Sequence, residues 1–374
     1  MAASAVRAVI RIDTEPRPIP VARHRLPRTA ELAPYLARID QERWSSHAGP
    51  LAREFEAKLA ARFDNPTGVV TFAEPGAAIT LALRALDCAA GELCAMPSWT
   101  AAVTAHAVAK AGLEPWFLDV DPVTWMLEPA ATVEALPTAP GPVGAILPCA
   151  AFGRLPDLNA WARVARYSGI PVLLDAQGGV DGLTTAPIPV AVGLGPAECV
   201  SAGGGGFLVS EDGELIERIG DLVAAGDRSD PACDTQLSDY SAATGLASLD
   251  AWPETRRRLA FAAQNLKVAL ALTPQIIFQP GWGSAWMSGQ CVVGVPDGAA
   301  PALAASLAAR GVDTRAWWAG GRHADPAFAH CLRHSVPVTE HLAASTLGLP
   351  FFTELDEETS WRIVDALIEA LKET

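Results

Sequence analysis

Few residues in this chain of 374 have the type and spacing that chemistry requires. Asp175 closes the apolar run Pro171-Val172-Leu173-Leu174-Asp175, which is short enough for a buried strand. A carboxyl at such a strand end sits where open α/β sheets place their ligands. It costs desolvation energy unless something pairs with it, which makes Asp175 a candidate general acid or base. His330 and His334 are four apart and would share a helix face, as some metal ligands do, but no glutamate motif or third ligand accompanies them. No metal is expected. The seven cysteines are odd in number and scattered without a CxxC, so neither a disulfide framework nor a zinc cage is indicated, and mostly buried reduced thiols are expected. Gly203 to Gly206 lack the Lys-Ser/Thr ending of a phosphate loop and read as a turn. Trp282, Trp286 and the Trp317-Trp318 pair read as packing or interface residues.

The elements that must position these residues alternate. From Thr67 to about Ser210, short β-branched or apolar runs (Gly68 to Phe72, Glu92 to Met96, Pro115 to Val120, Val143 to Pro148, Pro171 to Asp175) are separated by alanine-rich stretches such as Ala77 to Cys88 and Thr100 to Gly112. That is the pattern of a parallel sheet with crossover helices. Phe207 to Ser210 follow the glycine turn and need not run parallel to the rest. A long helix is expected from Leu237 to Ala271. Beyond it, strands at Gln275 to Phe278 and Gln290 to Val295 and helices at Ala300 to Arg310 and Glu357 to Leu371 suggest a smaller α+β domain. The division expected is an extended arm over 1–25, a large α/β domain over 26–251 and a C-terminal domain over 252–374.

Composition sets the class. Half the residues are apolar, and 28 Lys plus Arg face 42 Asp plus Glu, for a net charge of −14. Such a charge opposes nucleic acid and anionic membrane, because those partners draw their binding energy from cationic side chains. No apolar stretch reaches the ~18 residues of a transmembrane helix and the first residues have no signal-peptide core, so a cytoplasmic protein is expected.

Several motifs resemble, in order and separation, the DegT-type (DegT/DnrJ/StrS) sugar aminotransferases. They are Arg43-Trp44-Ser45-Ser46-His47-Ala48-Gly49-Pro50 with Glu54-Phe55-Glu56, Met96-Pro97-Ser98-Trp99-Thr100, Phe117-Leu118-Asp119-Val120-Asp121, Gly203 to Gly206, Ser238 to Leu249, Arg310 to Arg315 and Leu349-Pro350. The resemblance runs from about Ile19 to the C-terminus. It implies a three-layer large domain of the aspartate-aminotransferase-like kind (fold-type I, dependent on pyridoxal phosphate, PLP), a smaller α+β C-terminal domain and a homodimer with Ser238 to Leu249 at the interface.

The resemblance also implies which residues a PLP enzyme would use, and here the chain departs from it. The Schiff-base lysine falls on Glu198, and the only lysines are Lys58, Lys110, Lys267 and Lys372. The phosphate-binding Ser-Gly-Thr reads Glu74-Pro75-Gly76, where proline removes an amide and Glu74 adds a negative charge. The serine preceding the lysine is Gly193, and the asparagine a partner subunit sends to the phosphate aligns with Asp234. The cofactor-stacking aromatic is Ala101, with Trp99 next door, and Gln177 stands one place before the family's glutamine. The family aspartate survives as Asp175. A phosphate about 4 Å from one carboxylate is repelled by several kcal/mol at an effective dielectric near 20.

No cofactor is therefore expected, with PLP or pyridoxamine phosphate (PMP) at Asp175 as the alternative. The function expected is a PLP-independent enzyme of specialised small-molecule biosynthesis, with Glu198 and Asp175 in acid/base chemistry: dehydration, cyclisation, epimerisation or hydrolysis. Glu74, Trp99, Gln177, Asp234, Trp317 and Trp318 are the ligand-binding candidates for a polyol, sugar-like or cationic substrate. Two alternatives stand beside it: a non-catalytic subunit or binding protein, pairing with itself or a paralogue, and a PLP/PMP sugar dehydratase-like enzyme without an internal aldimine.

Overall fold

The structure is a computed structural model and describes residues 18–46, 48–65, 68–225 and 235–373. In chain order the elements are α1 (Thr29–Glu42), α2 (Pro50–Ala60), β1 (Gly68–Phe72), α3 (Pro75–Ala85), β2 (Leu93–Pro97), α4 (Ala102–Lys110), β3 (Glu114–Leu118), α5 (Pro129–Ala135), β4 (Val143–Ile146), α6 (Leu158–Ser168) and β5 (Leu174–Asp175). They continue with β6 (Val190–Gly193), β7 (Gly206–Ser210), α7 (Gly213–Ala225), α8 (Asp239–Ala269), β8 (Ile277–Phe278), β9 (Cys291–Gly294), α9 (Ala300–Ala309), α10 (Pro337–Ser345), β10 (Thr346–Leu349) and α11 (Glu357–Glu373).

Strands β3-β2-β4 pair in parallel, and a second group runs β1-β7-β6-β5. Main-chain bonds from Ile146 N to Pro171 O (2.9 Å), Leu173 N to Ile146 O (3.0 Å) and Asp175 N to Pro148 O (3.0 Å) join the groups along β4 and β5. Only β7 is antiparallel to its neighbours, as the glycine turn before it allows. Alternation along the strands makes this a three-layer arrangement. Leu93 and Ala95 of β2 enter one apolar core while Cys94 and Met96 enter the other. Val190 and Val192 of β6 join the first and Ala191 the second. A strand buried on both faces reads as a continuous apolar run because every second side chain serves a different core.

Strand β6 and strand β10 are elements that the sequence reading lacks. The long helix starts at Asp239, capped by Ser238, whose Oγ accepts from Ser241 N. After it, β9 pairs antiparallel with β8 and β10 to form the second sheet. Residues 18–25 are extended but not loose: Ile19 pairs with Val312, Phe351 N donates to Val21 O (3.0 Å) and Arg25 N donates to Pro196 O (2.8 Å). His330 and His334 lie in irregular backbone rather than on one helix face, so the spacing argument for a metal pair lapses. No group of His, Cys, Asp and Glu suited to a metal occurs among the described residues.

Candidate active site

Asp175 ends β5 and is 3% exposed. Thr104 Oγ1, from α4, donates to its Oδ2 at 2.6 Å, and Gln177 N donates to its Oδ1 at 3.2 Å. Burial raises this carboxyl from 3.8 to about 6, with both hydrogen bonds opposing because they favour the charged form. Glu198 lies in the loop between β6 and β7. Its carboxyl has lost bulk water and rises from 4.5 to about 7; Arg25 opposes the rise and Asp175 adds to it. The remaining exposed surface of Glu198 opens on a cavity of about 40 Å³, walled also by Phe152, Gln177, Gly178, Ser288, Gly289, Gln290 and Trp318. Gly178 has φ +77°, and a Cβ there would stand 3.4 Å from Glu198 Oε2. Asp175 lies behind this wall rather than on it.

Aromatic rings fill the adjoining space. Phe152 and Trp318 stack with centroids 3.9 Å apart, and Trp99 meets Trp318 edge-on at 5.4 Å. Phe152 holds φ at +54°, a left-handed conformation that a bulky residue keeps only when its surroundings impose it. Its neighbours Trp99 and Trp125, 2% and 6% exposed, supply that constraint. The cavity has room for a few waters but is far below the roughly 300 Å³ at which pockets for drug-sized ligands begin.

Of the residues predicted from sequence, the fold brings Glu198, Gln177 and Trp318 to one cavity, with Trp99 and Asp175 directly behind them. Trp317 is not a wall of it; its ring packs under Arg315, whose guanidinium carbon is 4.3 Å from the centroid. Glu74 does not join the cluster either. It is exposed at the start of α3, and Pro75 takes the first helical position. Asp234 lies outside the described residues. None of the four lysines lines the cavity: Lys58 pairs with Asp250 at 3.1 Å, Lys110 ends α4, Lys267 bonds Trp282 O and Lys372 pairs with Glu369 at 2.7 Å.

Three contributors are not apparent from sequence. Thr104 belongs to an i, i+4 pair with Thr100, 3.4 Å away, and that spacing is its only sequence signal. Arg25 donates from Nε to Glu198 O at 3.3 Å across 173 positions. The third is a latch: Ser98 Oγ lies 2.7 Å from His323 Nδ1 and accepts from His323 N at 3.1 Å, while His323 Nε2 is 3.6 Å from Glu340 Oε1. Ser98 is fully buried, so this serine anchors the segment after Trp318 rather than attacking a substrate.

The family profile described as the DegT/DnrJ/EryC1/StrS aminotransferase family matches residues 28–368. The chain belongs to that family. Among relatives, it is 28% identical to the dTDP-3-amino-3,4,6-trideoxy-alpha-D-glucose transaminase of Streptomyces venezuelae, over 86% of this chain and 87% of that protein. It is 27% identical to a pleiotropic regulatory protein of Geobacillus stearothermophilus, over 86% and 89% respectively. Among solved structures, DesI in the presence of its TDP-sugar product superposes with a TM-score of 0.85 at 27% identity, over 96% of this chain and 94% of that one. The aminotransferase TlmJ from Streptoalloteichus hindustanus gives 0.83 at 25%, over 95% and 99%. The architecture is thus fold-type I, as the motif order implies. No helix among the described residues is long and apolar enough to cross a membrane.

Proposed function

We propose that this family member acts without PLP, as an acid/base enzyme in which Glu198 is the proton-carrying group toward a small polyol or sugar-like ligand. The observation that carries the reading is Glu198 itself: an enclosed carboxyl facing a cavity, half-protonated near neutrality, in a chain whose four lysines all lie elsewhere. A group titrating close to the working pH transfers protons most effectively in either direction.

PLP supplies an electron sink when bound, and it needs a lysine, an anion-binding helix start and space for a ring. Two features count against the fit: the lysine positions and the Glu74-Pro75 start of α3, with one amide missing. In the acid/base reading, Glu198 gives its proton to a departing or carbonyl oxygen. Gln177, Ser288 and Gln290 orient hydroxyls, and Trp318 offers an apolar face. Asp175 acts through its charge on Glu198 and through the Gln177 amide, without touching the ligand. We further propose a cytoplasmic homodimer, which sedimentation tests.

The deciding measurement is optical titration of the purified protein with PLP, and no visible absorption band is expected. A saturable band overturns the reading in favour of a PLP or PMP enzyme. Glu198→Gln, which keeps the shape and removes the titrating proton, is expected to reduce turnover by about 10²-fold or more while the protein stays folded. A second reading, as a non-catalytic binding subunit, draws on the aromatic stack that narrows the cavity. It takes over if Glu198→Gln changes nothing.

A further inference from the structure

We propose that Arg25 is a positioning residue that clamps the two walls of the Glu198 cavity together and holds a positive charge behind that glutamate. Its Nε donates to the carbonyl of Glu198 (3.3 Å), in the loop between β6 and β7, and its Nη2 donates to the carbonyl of Gly289 (3.1 Å), in the turn before β9. Both of those residues line the cavity. The Arg25 amide adds a bond to Pro196 O (2.8 Å), which fixes the strap against the same loop.

Two features show that the fold is arranged around this side chain. A Cβ on Gly289 would overlap both Arg25 Nη2 and the carbonyl of Ala197, so a side chain at 289 evicts the guanidinium or displaces the loop. Nη1 of Arg25 is buried without a hydrogen-bond partner among the described residues, a state that costs free energy. Behind it lies a second cavity whose ionisable residues, besides Arg25, are His24, Arg28, Arg258, Glu31, Glu254 and Glu354. Glu254 is engaged by Arg258 at 2.7 Å and Glu31 by the Arg28 amide at 2.8 Å. Facing Glu198 itself, besides Arg25, are Asp175, of like charge, and Cys199, whose thiol is pushed up to about 12 and stays neutral. Arg25 is the one cation in that set.

The proposal rests on the reading of Glu198 as the proton-carrying group, and its test requires no substrate. The protonated carboxyl band of Glu198, assigned by its loss in Glu198→Gln, is followed by difference infrared spectroscopy from pH 5 to 9. Removing an opposite charge disfavours the carboxylate, so Arg25→Gln is expected to raise the midpoint by about one pH unit, a ten-fold gain in proton affinity. Arg25→Lys restores the charge and is expected to recover most of that shift. An unmoved midpoint in Arg25→Gln, or a lysine variant that behaves like the glutamine one, overturns the proposal. Should Arg25→Gln not fold, the wild-type protein still decides. The Arg25 Nε–H resonance should move with pH at the Glu198 midpoint and stay still in Glu198→Gln; a resonance indifferent to pH overturns the assignment. Failure here leaves the acid/base reading standing, and failure of the turnover test leaves this titration unaffected.

Discussion

Thr104 Oγ1 stands 2.6 Å from Asp175 Oδ2, and apart from the Gln177 amide no other hydrogen bond to that carboxyl occurs among the described residues. Thr104→Val keeps the shape and removes the donor. Asp175, at about 6 in the wild type, should titrate higher, because the lost bond favoured its charged form. At pH 8 the variant should lose roughly 1–3 kcal/mol of stability, with the deficit shrinking as pH falls through 6. Thermal unfolding at several pH values checks this; a deficit independent of pH would sink it.

Glu198 binds its proton more tightly in the folded protein, at about 7 against an ordinary 4.5. Between those values the folded chain holds a proton that the unfolded chain has released. The contribution to stability is full below about 4.5 and disappears as pH rises through 7. Asp175 has the same sign over a lower window, 3.8 to about 6. Glu198→Gln cannot titrate. Relative to wild type it should therefore gain roughly 1–3 kcal/mol between pH 5 and pH 8, read from denaturant midpoints. A constant difference across that range contradicts the assignment.

Trp318 stacks on Phe152 and meets Trp99, so Trp318→Ala deletes the centre of the aromatic group. A half-buried tryptophan lost in this way should cost about 2–3 kcal/mol and widen the cavity. If that stack is what excludes larger ligands, the variant should also bind aromatic probes that wild type does not, as calorimetry would detect. A stability change below about 0.5 kcal/mol would mean that the ring is dispensable.

Arg256 holds Asp181 through two bonds, 2.7 and 3.2 Å, and Asp181 Oδ2 also accepts the Met287 amide at 3.1 Å. The Asp181 side chain is only 6% exposed, so Arg256→Gln leaves a buried carboxylate short of its cation. A loss of roughly 2 kcal/mol is expected, with faster amide exchange over 287–290, the turn that walls the cavity. Unchanged exchange in that turn would separate the ion pair from the site.

The fold was readable because its signals are local and repeated. Apolar runs of strand length, each ending near a turn, placed β1 to β4 and β7 to within a residue or two. Strand β6 escaped because Val190–Gly193 follows Pro187 and Pro189 and has the look of a loop, and β10 escaped because Thr346 follows α10 without a turn. The site was half readable. Glu198 was legible only through the family resemblance, counted back from the glycine turn, whereas Asp175 stood out at the end of its own apolar strand. Glu74 misled, because an offset from a strand end fixes a backbone position and leaves the side chain free to face solvent. Arg25 left no trace, since nothing local distinguishes an arginine that pairs 173 positions away.

The strap that carries Arg25 also fixes an order of assembly. Ile19 waits for Val312, Val21 for Phe351 and the Nη2 bond of Arg25 for Gly289, so the strap is fully placed only when nearly all of the chain has been synthesised. The large sheet is complete in sequence by Ser210 and can collapse while residues 18–21 of this segment still lack their partners. Protease sensitivity around residues 18–25 should therefore persist in every nascent chain shorter than about 351 residues and disappear in the full one, which makes closure of the Glu198 cavity a late event in biogenesis.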